Sequence, residues 1–212
     1  MISLQIQSIC EDFSVAAAKV GMLYSAPIIR AVADMIDEYR ITPLVIDPVM
    51  VATSGKRLLQ NNAVSVLCAK LLPKATLITP NLNEAELLLG HSIRSLEDMN
   101  TAARALGVQF GTACIIKGGH LRLEDRSQES GVRSQKLTLR SSRSEARVVD
   151  VLYWKGRIYE FRGPRIPVTR THGTGCVFSA AIAAFLARGE ELPDAINHAK
   201  HFVTSKLECS FS

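Results

Sequence analysis

Aromatic residues are scarce in this chain of 212 residues: one Trp, four Tyr and seven Phe make up 6% of it. Cysteine is scarce as well. Cys10, Cys68, Cys114, Cys176 and Cys209 are odd in number, scattered, and never spaced as Cys-x-x-Cys, so neither a disulfide framework nor a zinc site is indicated. No apolar run reaches the ~18 residues that a membrane helix needs, which argues against a membrane protein. Met1 to Asp12 lacks a basic region followed by an apolar stretch, so no signal peptide is expected and cytoplasm is the expected compartment. No strand-like run leads into Gly-x-Gly-x-x-Gly with an acid ~20 residues on, which disfavours a dinucleotide oxidoreductase. What remains is 47% hydrophobic and 21% charged, the composition of a globular domain with ample length for a packed core.

The net charge of +5 suggests an acidic partner such as nucleic acid, but the surplus is local. Arg122 to Arg147 holds seven Lys or Arg against four acids, with six serines. Without aromatics it makes a poor nucleic-acid platform, and it reads as an exposed, mobile insertion.

Elsewhere, short apolar runs alternate with segments of helical period. Strands are expected at Lys19–Leu23, Leu44–Ile46, Leu77–Thr79 and Ala113–Ile116. Helices are expected from Ser25 and Pro27 to about Arg40, over Asn62–Leu72 with Pro73 as the stop, over Asn81–Leu89, and from a capping box at Ser95–Asp98 to about Leu106. Val149–Trp154 and Arg157–Phe161 flank Lys155-Gly156 as a hairpin, and helices follow from about Gly175 to Arg188 and Asp194 to Lys206. Repeated strand–helix units imply an α/β layered fold with a mainly parallel sheet, in one domain. Ligands of such sheets bind beyond the carboxyl ends of the strands. Here those ends are Gly21-Met22, Asp47-Pro48-Val49-Met50, Thr79-Pro80-Asn81 and Lys117-Gly118-Gly119-His120.

The most informative stretch is Thr171-His172-Gly173-Thr174-Gly175-Cys176, leading into an Ala-rich helix. Glycines let backbone amides approach an anion, and a helix N-terminus adds partial positive charge. That makes a phosphate cradle without the lysine of a Walker loop, although a plain Gly-rich helix start reads equally well from these residues alone. A thiol in a first helical turn faces the positive end of the helix, so Cys176 is a candidate reactive thiol; the other reading is a small buried hydrophobe, as assigned to Cys68 and Cys114.

Thr-His-Gly-Thr-Gly-Cys entering an Ala-rich helix resembles the C-terminal signature of the ribokinase-like kinases, and in particular that of the hydroxymethylpyrimidine/phosphomethylpyrimidine kinases. Most ribokinase-like sugar kinases carry aspartate where this chain has Cys176. Lys19–Leu23, Asp47–Val51 with Ser54-Gly55, Thr79–Glu86 and Lys117–His120 agree with the same family in order and spacing. The resemblance runs from about Ser8 to about Val203, interrupted by the 122–147 insertion. It implies a ribokinase-like fold with helices on both faces of the sheet, and ATP-dependent phosphorylation of hydroxymethylpyrimidine and its monophosphate in thiamine diphosphate biosynthesis.

The resemblance also implies roles. Asn81 and Glu84 match Asn-x-x-Glu, which places magnesium and the phosphates of ATP, with Asp47 supporting the metal or its waters. Magnesium takes oxygen ligands and keeps several waters, so few protein groups are needed. Asn81 also suits an N-cap; Glu84 alone also reads as a solvated helix residue, and Glu86 is expected to be one. Lys117 would neutralise phosphate charge. Gly173, Thr174 and Gly175 would form the anion hole, with Cys176 against the acceptor oxygen as candidate base. Met22 and Val49 would line the pyrimidine pocket. His120 and His172 match family positions as loop anchors.

Against the family pattern, the chain starts after an opening strand and Gly/Ser-rich loop and stops at Ser212 before a Gly/His-containing tail. The expected fold is therefore N-terminally incomplete, with a free sheet edge that invites a homodimer. The expected partner is a small-molecule pyrimidine, with no nucleic acid and no membrane. A pyridoxal-type kinase and a non-catalytic nucleotide-binding remnant stay open as rival readings.

Overall fold

Three apolar runs with every residue buried form the centre of the computed structural model: β2 (Leu44–Ile46), β3 (Leu77–Ile78) and β4 (Ala113–Ile116). The structure describes residues 1–50, 58–60, 62–119, 147–164, 166 and 173–209. Strands buried on both faces belong to a parallel sheet covered by helices on both sides. The full sheet runs β1 (Ala18–Val20), β2, β3, β4, β5 (Arg147–Trp154), β6 (Arg157–Pro164) in spatial order, parallel through β4 and antiparallel beyond it.

Alternation along the strands divides the interior in two. Leu44, Ile46, Ile78, Cys114 and Ile116 face α2 (Ala26–Glu38), α3 (Ala63–Val66), α4 (Leu82–Leu89) and α5 (Leu96–Phe110). Val45, Leu77, Ala113, Ile115 and Leu152 face α6 (Thr174–Ala187) and α7 (Leu192–Cys209). The crossovers between parallel strands all advance the sheet one way, which places their helices on one face. The opposite face is left for α6, which returns across β2 and β1 and so brings its N-terminus to the carboxyl edge of the parallel strands. A first helix, α1 (Ile2–Asp12), packs on α2 through Ile2 and Ile6.

Local rules account for most element ends. Asn81 and Ser95 each form a reciprocal capping box, with Glu84 and Asp98. Lys155 and Gly156 both have positive φ, 48° and 79°, the geometry of a two-residue hairpin turn. Several expectations are corrected. The first strand is Ala18–Val20, not Lys19–Leu23, because Gly21 onward leaves the ladder toward the site. Arg40 lies beyond α2, at φ 50°. The helix expected at Asn62–Leu72 is one α-turn over 63–66, a π-turn over Leu67–Leu71 and a 3₁₀ turn over Leu72–Lys74 that includes Pro73. α5 runs on to Phe110, and α7 spans Leu192 to Cys209. Arg147, expected in the insertion, begins β5; the rest of that stretch lies outside the described residues.

The α5–β5 contact is tight at Gly107, where a Cβ would lie 2.2 Å from the Tyr153 ring and 3.1 Å from the Thr112 carbonyl oxygen. Alanine favours a helix over glycine by ~1 kcal/mol, whereas overpacking costs ~1–3 kcal/mol. Gly107→Ala is therefore expected to destabilise the fold and lower the thermal midpoint by several degrees, as read by calorimetry. Gly107→Ala combined with Tyr153→Ala should be less harmful than the sum of the two single changes. A raised midpoint in Gly107→Ala would contradict the packing account.

Candidate active site at the carboxyl edge of the sheet

Asp47 follows β2 directly, its N–H donating to the Val20 carbonyl at 2.9 Å, and its side chain is only 2% exposed. A carboxylate so deep needs partners, and it has them from four elements. Lys117, at the end of β4, donates from Nζ to Asp47 Oδ1 at 2.7 Å. Thr79, after β3, donates its hydroxyl to the same oxygen at 3.1 Å. Lys19 of β1 places Nζ 3.9 Å from Oδ2. Ser179 of α6 is fully buried, with Oγ 3.3 Å from Oδ2 and 3.1 Å from the carbonyls of both Gly175 and Cys176. With one proton, that hydroxyl donates to one of these acceptors at a time.

The lysine backbone is as well held as its head. Lys117 N–H donates to the Pro80 carbonyl at 3.0 Å, and a parallel bridge joins Asn81 to Lys117. The Lys117 ammonium reaches the first turn of α6: a Cβ on Gly175 would lie 3.3 Å from Nζ. α6 is opened by Gly173 at φ 88°, a left-handed conformation that suits glycine. Its ladder starts with Val177 N–H donating to the Gly173 carbonyl, so the ladder uses neither the Gly175 nor the Cys176 N–H. Two ammonium groups and a helix N-terminus thus converge on one buried carboxylate. Positive potential is in excess there, and an anion fits.

Glu84 interacts electrostatically with both Lys117 and Asp47. It is 2% exposed, which replaces the solvated-helix reading with a buried one. Its Oε2 accepts the Asn81 N–H at 2.9 Å, and Asn81 Oδ1 accepts the Glu84 N–H at 2.9 Å. Burial pushes its carboxyl from the ordinary 4.5 up to about 7, against the opposing pull of Lys117 and of the Asn81 and Met50 backbone; the Asp47 charge adds to the rise. Its burial, with Lys117 nearby, leaves carboxyl oxygens of the kind a hard divalent cation takes. Among the described residues no three His, Cys, Asp or Glu are placed to hold a metal by themselves. Magnesium commonly needs only one or two carboxylates beside phosphate and water, so Glu84 and Asp47 suit it. Glu86 is corrected too: rather than facing solvent alone, it accepts the Ile93 N–H at 2.7 Å.

The structure thus brings together Asp47, Asn81, Glu84, Lys117, Gly175 and the start of α6. Cys176 is exposed in that first turn, which removes the buried-hydrophobe reading. Cys114 is fully buried and Cys68 half-buried, and burial pushes both thiols up. Met22 is exposed and Val49 half-buried, at the exits of the adjacent strands β1 and β2. His120 and His172 lie outside the described residues. Lys19, Thr79 and Ser179 had no individual role in the sequence reading. The available signal was position: each sits at or beside a strand exit or in the first two turns of α6.

That edge belongs to a sheet with helices on both faces, the layered fold expected of the ribokinase-like kinases. Known proteins narrow the class. A family model described as phosphomethylpyrimidine kinase matches residues 1–212. The chain is 41% identical over 206 residues to the hydroxymethylpyrimidine/phosphomethylpyrimidine kinase of Haemophilus influenzae, covering 97% of this chain and 70% of that protein. It is 39% identical over 203 residues to the thiamine biosynthesis bifunctional protein ThiED of Geobacter sulfurreducens, covering 96% of this chain and 37% of that protein. An ADP complex of Bacillus subtilis pyridoxal kinase superposes with a TM-score of 0.78 at 34% identity, covering 96% of this chain and 67% of that one. The chain belongs to the phosphomethylpyrimidine kinase family. Among the described residues no helix is long and apolar enough to cross a membrane.

The raised Glu84 carboxyl has a measurable sign. Its protonated form favours the fold: that contribution is fully present below about pH 4.5 and is lost as pH rises through about 7. In metal-free buffer, raising the pH from 5 to 8 should cost the parent roughly 2–3 kcal/mol relative to Glu84→Gln, whose amide does not titrate. Urea denaturation at both pH values reads the difference. Parallel pH trends in the two proteins would contradict the burial of an uncompensated carboxyl.

Proposed function

We propose that residues 1–212 form a single ribokinase-like domain, interrupted by the polar insertion near 122–147, that transfers the γ-phosphoryl group of ATP to hydroxymethylpyrimidine and then to its monophosphate. The observation that carries this reading is the Lys117 ammonium held by Asp47 beside the first turn of α6. Phosphoryl transfer is mostly positioning and charge stabilisation, and this edge supplies both. Lys117 neutralises the phosphate oxygens. The amides of Gly173, Thr174 and Gly175 receive the transferring group, and Asn81 orients the phosphate side. Met22 and Val49 border the pyrimidine, with a cytoplasmic location where ATP is at hand.

Glu84 and Asp47 would hold magnesium, which supplies further neutralisation of phosphate charge when bound. In the first transfer the hydroxymethyl oxygen attacks the γ-phosphorus, the bond to ADP breaks, and the hydroxyl proton leaves; in this reading Cys176 takes it. In the second transfer the acceptor is a phosphate oxygen that is already ionised and needs little base. Cysteine therefore suffices where sugar kinases carry aspartate. β1 has a strand on one side only among the described residues, and pairing of two copies along it belongs to the same proposal.

The likeness to a pyridoxal kinase favours one second reading, a pyridoxal-type kinase. A coupled ADP-release assay with magnesium-ATP separates the two: turnover should depend on hydroxymethylpyrimidine, and pyridoxal should compete poorly. Lys117→Ala should lose ~2–4 kcal/mol of transition-state stabilisation, a fall of tens- to a thousandfold in kcat/KM. Cys176→Ala should lower the first transfer far more than the second. ATP binding with no product from either acceptor would identify a non-catalytic remnant, and Lys117→Ala kinetics equal to those of an active parent would place the phosphates elsewhere.

A further inference from the structure

The loop that carries Lys117 is clamped from outside the site. Gly118 runs so close to β5 that a Cβ there would lie 1.9 Å from the Val149 carbonyl oxygen. Its N–H donates to Asp150 Oδ1 at 2.9 Å. Asp150 lies between Val149 and Val151 in β5 and is only 7% exposed. Its other oxygen pairs with Nζ of Lys200, which reaches over from α7. The Lys200 stem passes β6 where that strand has no side chain, since a Cβ on Gly163 would lie 3.0 Å from Lys200 Cε. Among the described residues Asp150 and Lys200 bond to the Gly118 loop and to each other, not to Asp47 or Glu84.

We propose that Asp150 and Lys200 are positioning residues for Lys117. This rests on the reading of Lys117 as the lysine that neutralises phosphate. The peptide on each side of Lys117 is fixed by a separate bond, its own N–H to Pro80 and the next N–H to Asp150. With both fixed, the side chain extends along one line to Asp47 and the α6 N-terminus. The Gly118 N–H, which a Gly-Gly loop would otherwise present to an anion, is taken up by Asp150. Lys200 supplies the counter-charge that lets a carboxylate sit at that depth. The working part is thus an acceptor oxygen facing Gly118, and the ion pair is the means of burying it.

Two double variants separate these parts. Asp150→Asn with Lys200→Met keeps an acceptor for Gly118 and removes both charges together, so no buried charge is left alone. It should retain kcat within about threefold and keep the Gly118 amide protected from hydrogen exchange. Asp150→Leu with Lys200→Met removes the acceptor and likewise strands no charge. It should lower kcat at least tenfold with the KM for the pyrimidine changed less than twofold, and speed Gly118 exchange at least tenfold, measured by NMR on the whole chain. Parent-like kcat and exchange in the leucine variant overturns the proposal, as does an equal fall in the asparagine variant. If the parent has no turnover, the kinase reading falls and Gly118 exchange alone decides: faster exchange confined to the leucine variant supports the clamp, and equal exchange in both overturns it.

Discussion

A carboxylate removed from water must be surrounded by cations or donors, or its burial costs several kcal/mol. Asp47 meets that condition only because β1, β3, β4 and α6 all arrive at its position. The relation also works in reverse. Lys117 sits beside the positive end of α6, with a second ammonium nearby on Lys19, and among the described residues Asp47 is the carboxylate that offsets that repulsion at hydrogen-bond distance from Lys117. The carboxylate therefore holds together a set of positive groups that would otherwise spread apart. The residual positive potential is what an entering polyphosphate would meet.

The topology makes this convergence possible. Four parallel strands end on the same edge, and crossover helices confined to one face leave the other face open for α6 to return to β1 and β2. Two separate apolar clusters fix the distance between sheet and helices on either side. Rigid packing matters here because phosphoryl transfer depends on alignment within fractions of an ångström. Glycines serve that alignment at two close approaches: Gly175 lets the Lys117 head reach α6, and Gly118 lets its loop lie against β5.

Much of this was legible in the chain. The buried strands at Leu44, Leu77 and Ala113 read clearly because their apolar runs are short and end at Asp, Pro or Lys. The capping box at Ser95 follows from spacing, and Asn81 reads as an N-cap. Gly173 and Gly175 stood out as residues that serve an anion at a helix start, and Asp47 and Lys117 as polar residues at strand exits. Tertiary effects hid the rest. The segment from Ala63 to Lys74 has helical periodicity, yet packing winds it through a π-turn and a 3₁₀ turn. Glu84 looks like an ordinary helix acid until the neighbouring strand exits bury it. The partnership of Asp150 with Gly118 and Lys200 spans 32 and 50 residues, and no local pattern announces it.

The claim at the centre is that Asp47 organises the phosphate-transfer edge. Asp47→Asn tests it most directly, because the amide keeps the size and an acceptor while removing the charge that holds Lys117. The measurement is the single-turnover rate of phosphoryl transfer to hydroxymethylpyrimidine at saturating magnesium-ATP, on protein shown by circular dichroism to be folded. The account predicts a rate at least a hundredfold below that of the parent. A folded Asp47→Asn protein within threefold of an active parent, or a parent with no transfer at all, would contradict it.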